Sequence, residues 1–98
     1  MYEIRKTDVF VRWLDNLADR HARARILARL DRAEEGNLGD TKPIGRGVAE
    51  LRIPVGPGYR VYYTKRRNVL VILLLGGDKS SQERDIKRAI QMAQDLEE

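Results

Sequence analysis

Residues 49–79 read AELRIPVGPGYRVYYTKRRNVLVILLLGGDK, and the pattern in this stretch decides the fold. Leu51, Ile53 and Val55 alternate with Glu50, Arg52 and Pro54. Beyond Gly56-Pro57-Gly58, Tyr59, Val61 and Tyr63 alternate with Arg60, Tyr62 and Thr64. A period of two marks strands, because successive side chains on a strand point to opposite faces. A two-residue loop would set Ile53 against Arg60. A three-residue loop over Gly56 to Gly58 instead pairs Val55 with Tyr59, Ile53 with Val61 and Leu51 with Tyr63. Gly58 supplies the positive φ that such a loop needs. Arg52, Arg60 and Tyr62 then share the face away from the apolar set, by default a solvated face in an antiparallel sheet. Lys65-Arg66-Arg67-Asn68 forms a charged turn into the apolar run Val69 to Leu75. A run without alternation predicts a central strand buried on both faces. Gly76-Gly77-Asp78-Lys79 breaks it.

Working outward, Tyr2 to Lys6 suits an opening strand. Thr7 or Asp8 can cap a helix whose Phe10, Trp13, Leu14 and Leu17 fall on one stripe. Asp19 can cap a second helix, with Ala22, Ile26, Leu30 and Ala33 on its apolar side and an end near Gly36. Arg25, Arg29 and Arg32 line up on its polar side. Acidic neighbours make that a solvated face by default, with a phosphate-contacting stripe as the alternative. His21 reads as an exposed helix residue. Asn37 to Val48, with Pro43 and three glycines, reads as a connector made basic by Lys42 and Arg46. On the other side, Ser80 or Ser81 can cap a last helix with Ile86, Ala89, Ile90 and Ala93 on its apolar side. The whole, residues 1–98, is one α+β domain. Phe10, Trp13, Leu14, Ile26, Leu30, Leu51, Ile53, Val61, Val71 and Leu73 are expected to share one core.

Charge is unevenly spread. Residues 36–79 carry 8 basic against 3 acidic side chains, while residues 80–98 carry 3 against 5. The calculated pI of about 9.7 points to an acidic partner, nucleic acid first among them. The absence of Cys excludes disulfides and thiolate zinc sites, and one His excludes a His-based metal cluster. Residues 1–20 carry charges throughout, unlike a signal peptide, and Val69 to Leu75 is too short to span a bilayer. A cytoplasmic protein with no membrane partner is the expectation.

The order of elements, the segment GPGYRVYY (residues 56–63) and the ending LLLGGDKSSQ (residues 73–82) followed by Asp85-Ile86 carry a resemblance. They resemble the addiction module killer protein group of the RelE/ParE toxin superfamily, close to HigB-type toxins. The resemblance covers essentially the whole chain. It implies a small twisted, mainly antiparallel sheet in the order β-α-α-β-β-β-α, with an N-terminal helical hairpin on one face. It also implies a cognate antitoxin, expected to be a small helix-turn-helix protein in a toxin–antitoxin hetero-oligomer. For most characterised branches it implies an mRNA interferase, an endoribonuclease acting on mRNA at the ribosome to inhibit translation. Arg60 matches the family's Arg after Gly-Tyr, which contacts the scissile phosphate. Lys79 falls where relatives place a basic residue after the last strand, and Arg52 matches one on the preceding strand. Relatives that place Tyr or His in the final segment differ from this chain, where Asp85 stands nearest.

RNA cleavage of this kind needs the 2′-hydroxyl activated, the pentavalent phosphate stabilised and the leaving oxygen protonated. Arg60, Arg52 and Lys79 suit the second task, since fixed cations stabilise charge developing on phosphate. Tyr62, Asp85 and Glu83 are the nearby proton handlers, and none has a free pKa near neutrality. A ribosome that positions the RNA can offset such a catalyst through orientation. Lys42, Arg46, Lys65, Arg66 and Arg67 complete the expected RNA-binding surface. No cofactor or metal is expected. Two alternatives stay open: a ParE-like inhibitor that binds DNA gyrase without catalysis, and a basic nucleic-acid-binding module. Function lies in the site and not in the fold.

Overall fold

A computed structural model describes residues 1–96. Five strands form one sheet in the spatial order β1-β5-β4-β3-β2, with β1 at Glu3–Lys6, β2 at Thr41–Gly45, β3 at Val48–Ile53, β4 at Tyr59–Arg66 and β5 at Leu70–Asp78. β1 runs parallel to β5, and the other neighbours are antiparallel. Three helices complete the chain: α1 (Asp8–Asp15), α2 (Arg20–Glu34) and α3 (Gln82–Asp95), the last preceded by a 3₁₀ turn over Lys79–Ser81. No helix among the described residues is long and apolar enough to cross a membrane.

The helices begin where their caps place them. Thr7 Oγ1 accepts from Phe10 N at 3.0 Å, and Asp19 Oδ1 accepts from Ala22 N at 3.1 Å. Both bonds satisfy first-turn amides that have no helical partner. α1 and α2 cover one sheet face. All ten residues expected in the core meet there in one cluster, with Trp13 at its margin.

Three expectations are corrected. Thr41–Gly45 is a strand, not a connector. Pro43 and Gly45 hide it, yet an edge strand tolerates a proline because its outer N–H has no ladder partner. Secondly, the β3–β4 register is Ile53 opposite Tyr59, Leu51 opposite Val61 and Ala49 opposite Tyr63. The loop is therefore five residues, Pro54 to Gly58, closed by Gly58 N donating to Val55 O at 3.1 Å. Gly58 does take a positive φ of 83°. The shift is two residues, an even number, so every side chain keeps its face. Thirdly, Gly76 and Gly77 do not break β5, which continues to Asp78.

The unalternating run in β5 has a local cause. Tyr62 pairs with Leu75 while Tyr63 pairs with Leu73, which leaves Leu74 as a bulge. Leu74 and Leu75 then both face the second apolar cluster, with Ala89 and Ala93 of α3. Thr7 Oγ1 donates to the bulged residue's carbonyl, Leu74 O, at 2.6 Å. This bond anchors α1 beside β5 just where the pairing with β1 ends at Lys6 and Leu73.

The arginine stripe of α2 divides. Arg29 is buried, and its guanidinium donates to the carbonyls of Arg52 at 2.6 Å, Leu38 at 3.0 Å and Asp40 at 3.2 Å. It is a clasp that ties α2 to β3 and to the segment before β2, so its cation is not available to phosphate. Burial, then the nearby Arg32, lowers its pKa from the ordinary value, and Asp40 opposes them. Arg29→Met should strand these carbonyls and cost about 2 kcal/mol, a fall of roughly 8–16 °C in Tm. A thermal melt within about 3 °C of wild type would remove the clasp from the account.

Candidate functional site

The end of the sheet formed by the start of β4 and the end of β5 gathers the first three sequence candidates. Arg52, Arg60 and Lys79 line one open cleft with Asp40, Gly58 and Tyr59. The positions follow from the register: Arg52 lies opposite Arg60, and Arg60 opposite Gly77. Gly58 is the hinge between them. A Cβ placed on it would lie 3.7 Å from Arg60 Nη1 and 3.9 Å from Lys79 Cβ, so the loop passes closely between the two cations.

Arg52 and Arg60 are held differently. Arg52 donates to Asp40 Oδ1 through Nη2 at 3.0 Å and Nε at 3.3 Å, a half-exposed pair that contributes little to stability. Arg60 lies 3.6 Å from Glu50 Oε1 through Nε and donates Nη1–H to Gly58 O at 3.2 Å. Its side chain is 15% exposed and that of Glu50 only 2%. Gln82 Nε2 also donates to Glu50 Oε1, at 3.2 Å. The Arg60–Glu50 contact is thus a largely buried ion pair.

The polar face expected to be solvated is covered, because α3 packs on it. Tyr62 is completely buried, and its hydroxyl has no hydrogen-bond partner among the described residues. Burial, then the carboxylates of Glu50 and Asp85, pushes the phenol above its ordinary pKa, and Arg60 pulls weakly the other way. Sealed in this way, Tyr62 has no access to a substrate in the cleft. Asp85 sits in the first turn of α3, 7% exposed, and accepts from Ser81 Oγ at 2.5 Å. Its carboxylate lies against Gly77, where a Cβ would overlap it. Glu83, in the same first turn, is exposed near Ser80 and Ser81.

An acid whose folded pKa is raised supports stability below its unfolded pKa and withdraws that support as pH rises through the folded one. The window here starts near pH 10, where the unfolded tyrosine ionises. Tyr59 shifts in the same direction, again with burial first among its causes. Tyr62→Phe removes an unpaired buried hydroxyl and should stabilise the fold by about 1 kcal/mol at pH 7. It should also flatten the alkaline loss of Tm above pH 10. A lower Tm at pH 7 would show that the hydroxyl has a partner after all.

The basic residues expected to hold RNA do not converge on the cleft. Lys65, Arg66 and Arg67 close β4 at its far end, roughly 20 Å from Arg60 at the usual strand rise. Arg67 and Asn68 take φ of 57° and 59°, at the centre of a hairpin turn closed by Val69 N donating to Arg66 O at 3.2 Å. Arg66 is used internally, donating to Ala93 O at 3.2 Å and Thr64 Oγ1 at 3.3 Å. Lys65 Nζ lies 5.6 Å from the Tyr2 ring centroid. Arg46 occupies the β2–β3 turn at that same far end, and Lys42 lies midway, opposite Glu50. The roles of Gln82 beside Glu50 and of Arg29 as a buried clasp, in place of a phosphate contact, leave little trace in the sequence. Gln82 shows only if the face that α3 covers is known, and Arg29 looks like its solvated neighbours.

A family model described as "Phage derived protein Gp49-like (DUF891)" matches residues 12–97, most of the chain. The chain belongs to the Gp49-like family. This is a toxin-like family related to addiction modules. A Haemophilus influenzae protein described as uncharacterized is similar to this Gp49-like chain, 50% identical over 94 residues, which cover 96% of this chain and 95% of that protein. The match contains the cleft, the Gly76-Gly77 pair and α3, so the site of the Gp49-like chain lies inside its family region.

Proposed function

We propose that this chain is the toxin of a type II toxin–antitoxin pair and cleaves mRNA on the ribosome without a metal. Its RelE/ParE-like, HigB-like character belongs to that reading. The observation that carries it is the meeting of Arg60, Lys79 and Arg52 in one open cleft. A phosphate seated there accepts from Arg60 and faces the exposed Lys79. Glu50 holds the guanidinium in place from the buried side, so stabilisation of the phosphorane costs little reorganisation. The 2′-oxygen attacks the adjacent phosphorus, and the P–O bond to the 5′-oxygen breaks. The proton of the 2′-hydroxyl must leave and one must reach the 5′-oxygen.

Lys79 and Asp40 line the cleft and Asp78, Asp85 and Glu83 lie at the same end, with Tyr62 shut away, and none of these has a free pKa near neutrality. That shortage of proton handlers favours a reaction in which the ribosome orients the RNA. The same shortage is the one observation that favours the second reading, inhibition of DNA gyrase by binding alone. The antitoxin is the expected partner in either case. Measuring translation and plasmid supercoiling after induced expression separates the two: arrest of translation with supercoiling intact supports the nuclease, and the reverse supports the gyrase inhibitor.

A further inference from the structure

A second basic cleft opens at the same end of the sheet, between α1 and α3, over the stretch of β5 that β1 leaves uncovered. Arg12 of α1 and Arg84 and Arg88 of α3 line it, with Trp13, Tyr59 and Ser81. Arg84 and Arg88 stand one helical turn apart, so both reach the same side of α3. All three arginines are exposed. No ion pair holds any of them among the described residues. The two carboxylates in the cleft are otherwise engaged. Asp78 Oδ1 accepts from Ser80 N at 2.9 Å and from Ser80 Oγ, and Asp85 accepts from Ser81 Oγ. The Ser80 hydroxyl first, and Arg60 in smaller part, keep Asp78 below its ordinary pKa. The net charge of −2 over residues 80–98 conceals this local cluster.

We propose that this cleft is a second phosphate-binding subsite, which takes the single-stranded RNA backbone as it leaves the Arg60 cleft. The inference rests on the nuclease reading above. Tyr59 forms a wall of both clefts, and only the turn from Asp78 to Ser81 separates them. A strand seated on Arg60 and Lys79 and continuing past Ser81 therefore meets Arg84, Arg88 and Arg12 in turn. Gly76 and Gly77 keep the floor low, since side chains there would collide with Trp13 and Asp85. Arginine suits the task, because its planar fork meets phosphate oxygens with two bonds. An acidic protein segment is the competing occupant, and contiguity with the Arg60 cleft favours the RNA backbone.

The test is fluorescence anisotropy of a labelled single-stranded RNA decamer with the full-length protein, over a range of salt concentrations. Each phosphate contact on a single strand contributes about 0.7 to the salt slope. The double variant Arg84→Ala/Arg88→Ala should lower the slope by about 1.4 and weaken binding at least tenfold at low salt. Arg12→Ala should remove a further 0.7 or so. All three side chains are exposed, so Tm should stay at the wild-type value. Lys79→Ala, in the first cleft, serves as the reference and should lower the slope by about 0.7 by itself. A slope that falls with Lys79→Ala and not with the double variant overturns the second subsite and leaves the nuclease reading standing. If neither variant changes binding, or the wild-type protein does not bind the decamer, the second subsite falls, and the nuclease reading is decided separately by the ribosome-dependent cleavage assay. Loss of antitoxin binding in the double variant, with the RNA slope unchanged, assigns the cleft to an acidic protein partner and overturns the inference.

Discussion

Arg60→Lys should leave the protein folded and remove most of the growth arrest expected of the proposed toxin. The two effects separate because Arg60 has two environments. On its inner side it balances Glu50, a carboxylate with 2% of its side chain exposed. A lysine keeps a cation there, so the cost in stability should stay well below that of removing the charge. On its outer side it faces the cleft shared with Lys79 and Arg52. A lysine cannot meet a phosphate with two parallel hydrogen bonds, and losing one preorganised donor to a developing oxyanion typically lowers a rate 10²–10³-fold or thereabouts. Arg60→Ala is the poorer test. It leaves Glu50 buried with Gln82 as its remaining partner, and breaking a buried pair costs about 3 kcal/mol. Loss of activity in the alanine variant would therefore be confounded with unfolding. A folded Arg60→Lys protein with undiminished growth arrest would remove Arg60 from the chemistry.

Gly76→Ala should be the most damaging single methyl group in the chain. A Cβ at this position would overlap the six-membered ring of Trp13. The indole packs edge-on to Tyr59 at 6.2 Å and tilted against Phe10 at 5.9 Å, so displacing it breaks both ring contacts. Those rings tie α1 to the end of β4 that carries Arg60. Overpacking of this kind costs about 3 kcal/mol, a loss of roughly 12–24 °C in Tm. The mechanism predicts coupling as well. Combining Gly76→Ala with Trp13→Leu should cost less than the two separate losses added together, by about 1 kcal/mol or more. A Gly76→Ala protein that melts within 2 or 3 °C of wild type would contradict the packing described here.

The sidedness of β3 and β4 was legible in the alternation around Leu51 and Val61, and survived a register two residues from the one expected. Parity fixes the face, whereas the loop length fixes the register, and Gly56-Pro57-Gly58 is compatible with more than one loop. β2 was hidden because Pro43 and Gly45 argue against a strand, and only its place at the sheet edge makes them acceptable. The bulge at Leu74 left no signal beyond an apolar run too uniform to assign to faces.

For the site, the shared face of Arg52 and Arg60 was legible in the alternation, while Lys79 came in only through the family resemblance. The burial of Tyr62 and Glu50 was not legible. The apolar stripe Ile86, Ala89, Ile90 and Ala93 says that α3 packs on something, but not on which face. Once α3 lies over that face, a phenol that looked like a surface proton handler becomes a sealed hydroxyl. Arg84 and Arg88 stay at the surface beside Glu83 and Lys87, and one-dimensional charge counting had cancelled them against their acidic neighbours.

The most direct test of the central assignment is primer extension on a reporter mRNA in a translation system of purified ribosomes. Wild-type protein and the Arg60→Lys variant would be added separately at matched concentration. The cleft geometry predicts new 5′ ends within the translated region for wild type, dependent on ribosomes, and at least a hundredfold slower appearance with the lysine variant. Intact mRNA with both proteins, together with loss of gyrase supercoiling activity in the presence of the wild type, would contradict it.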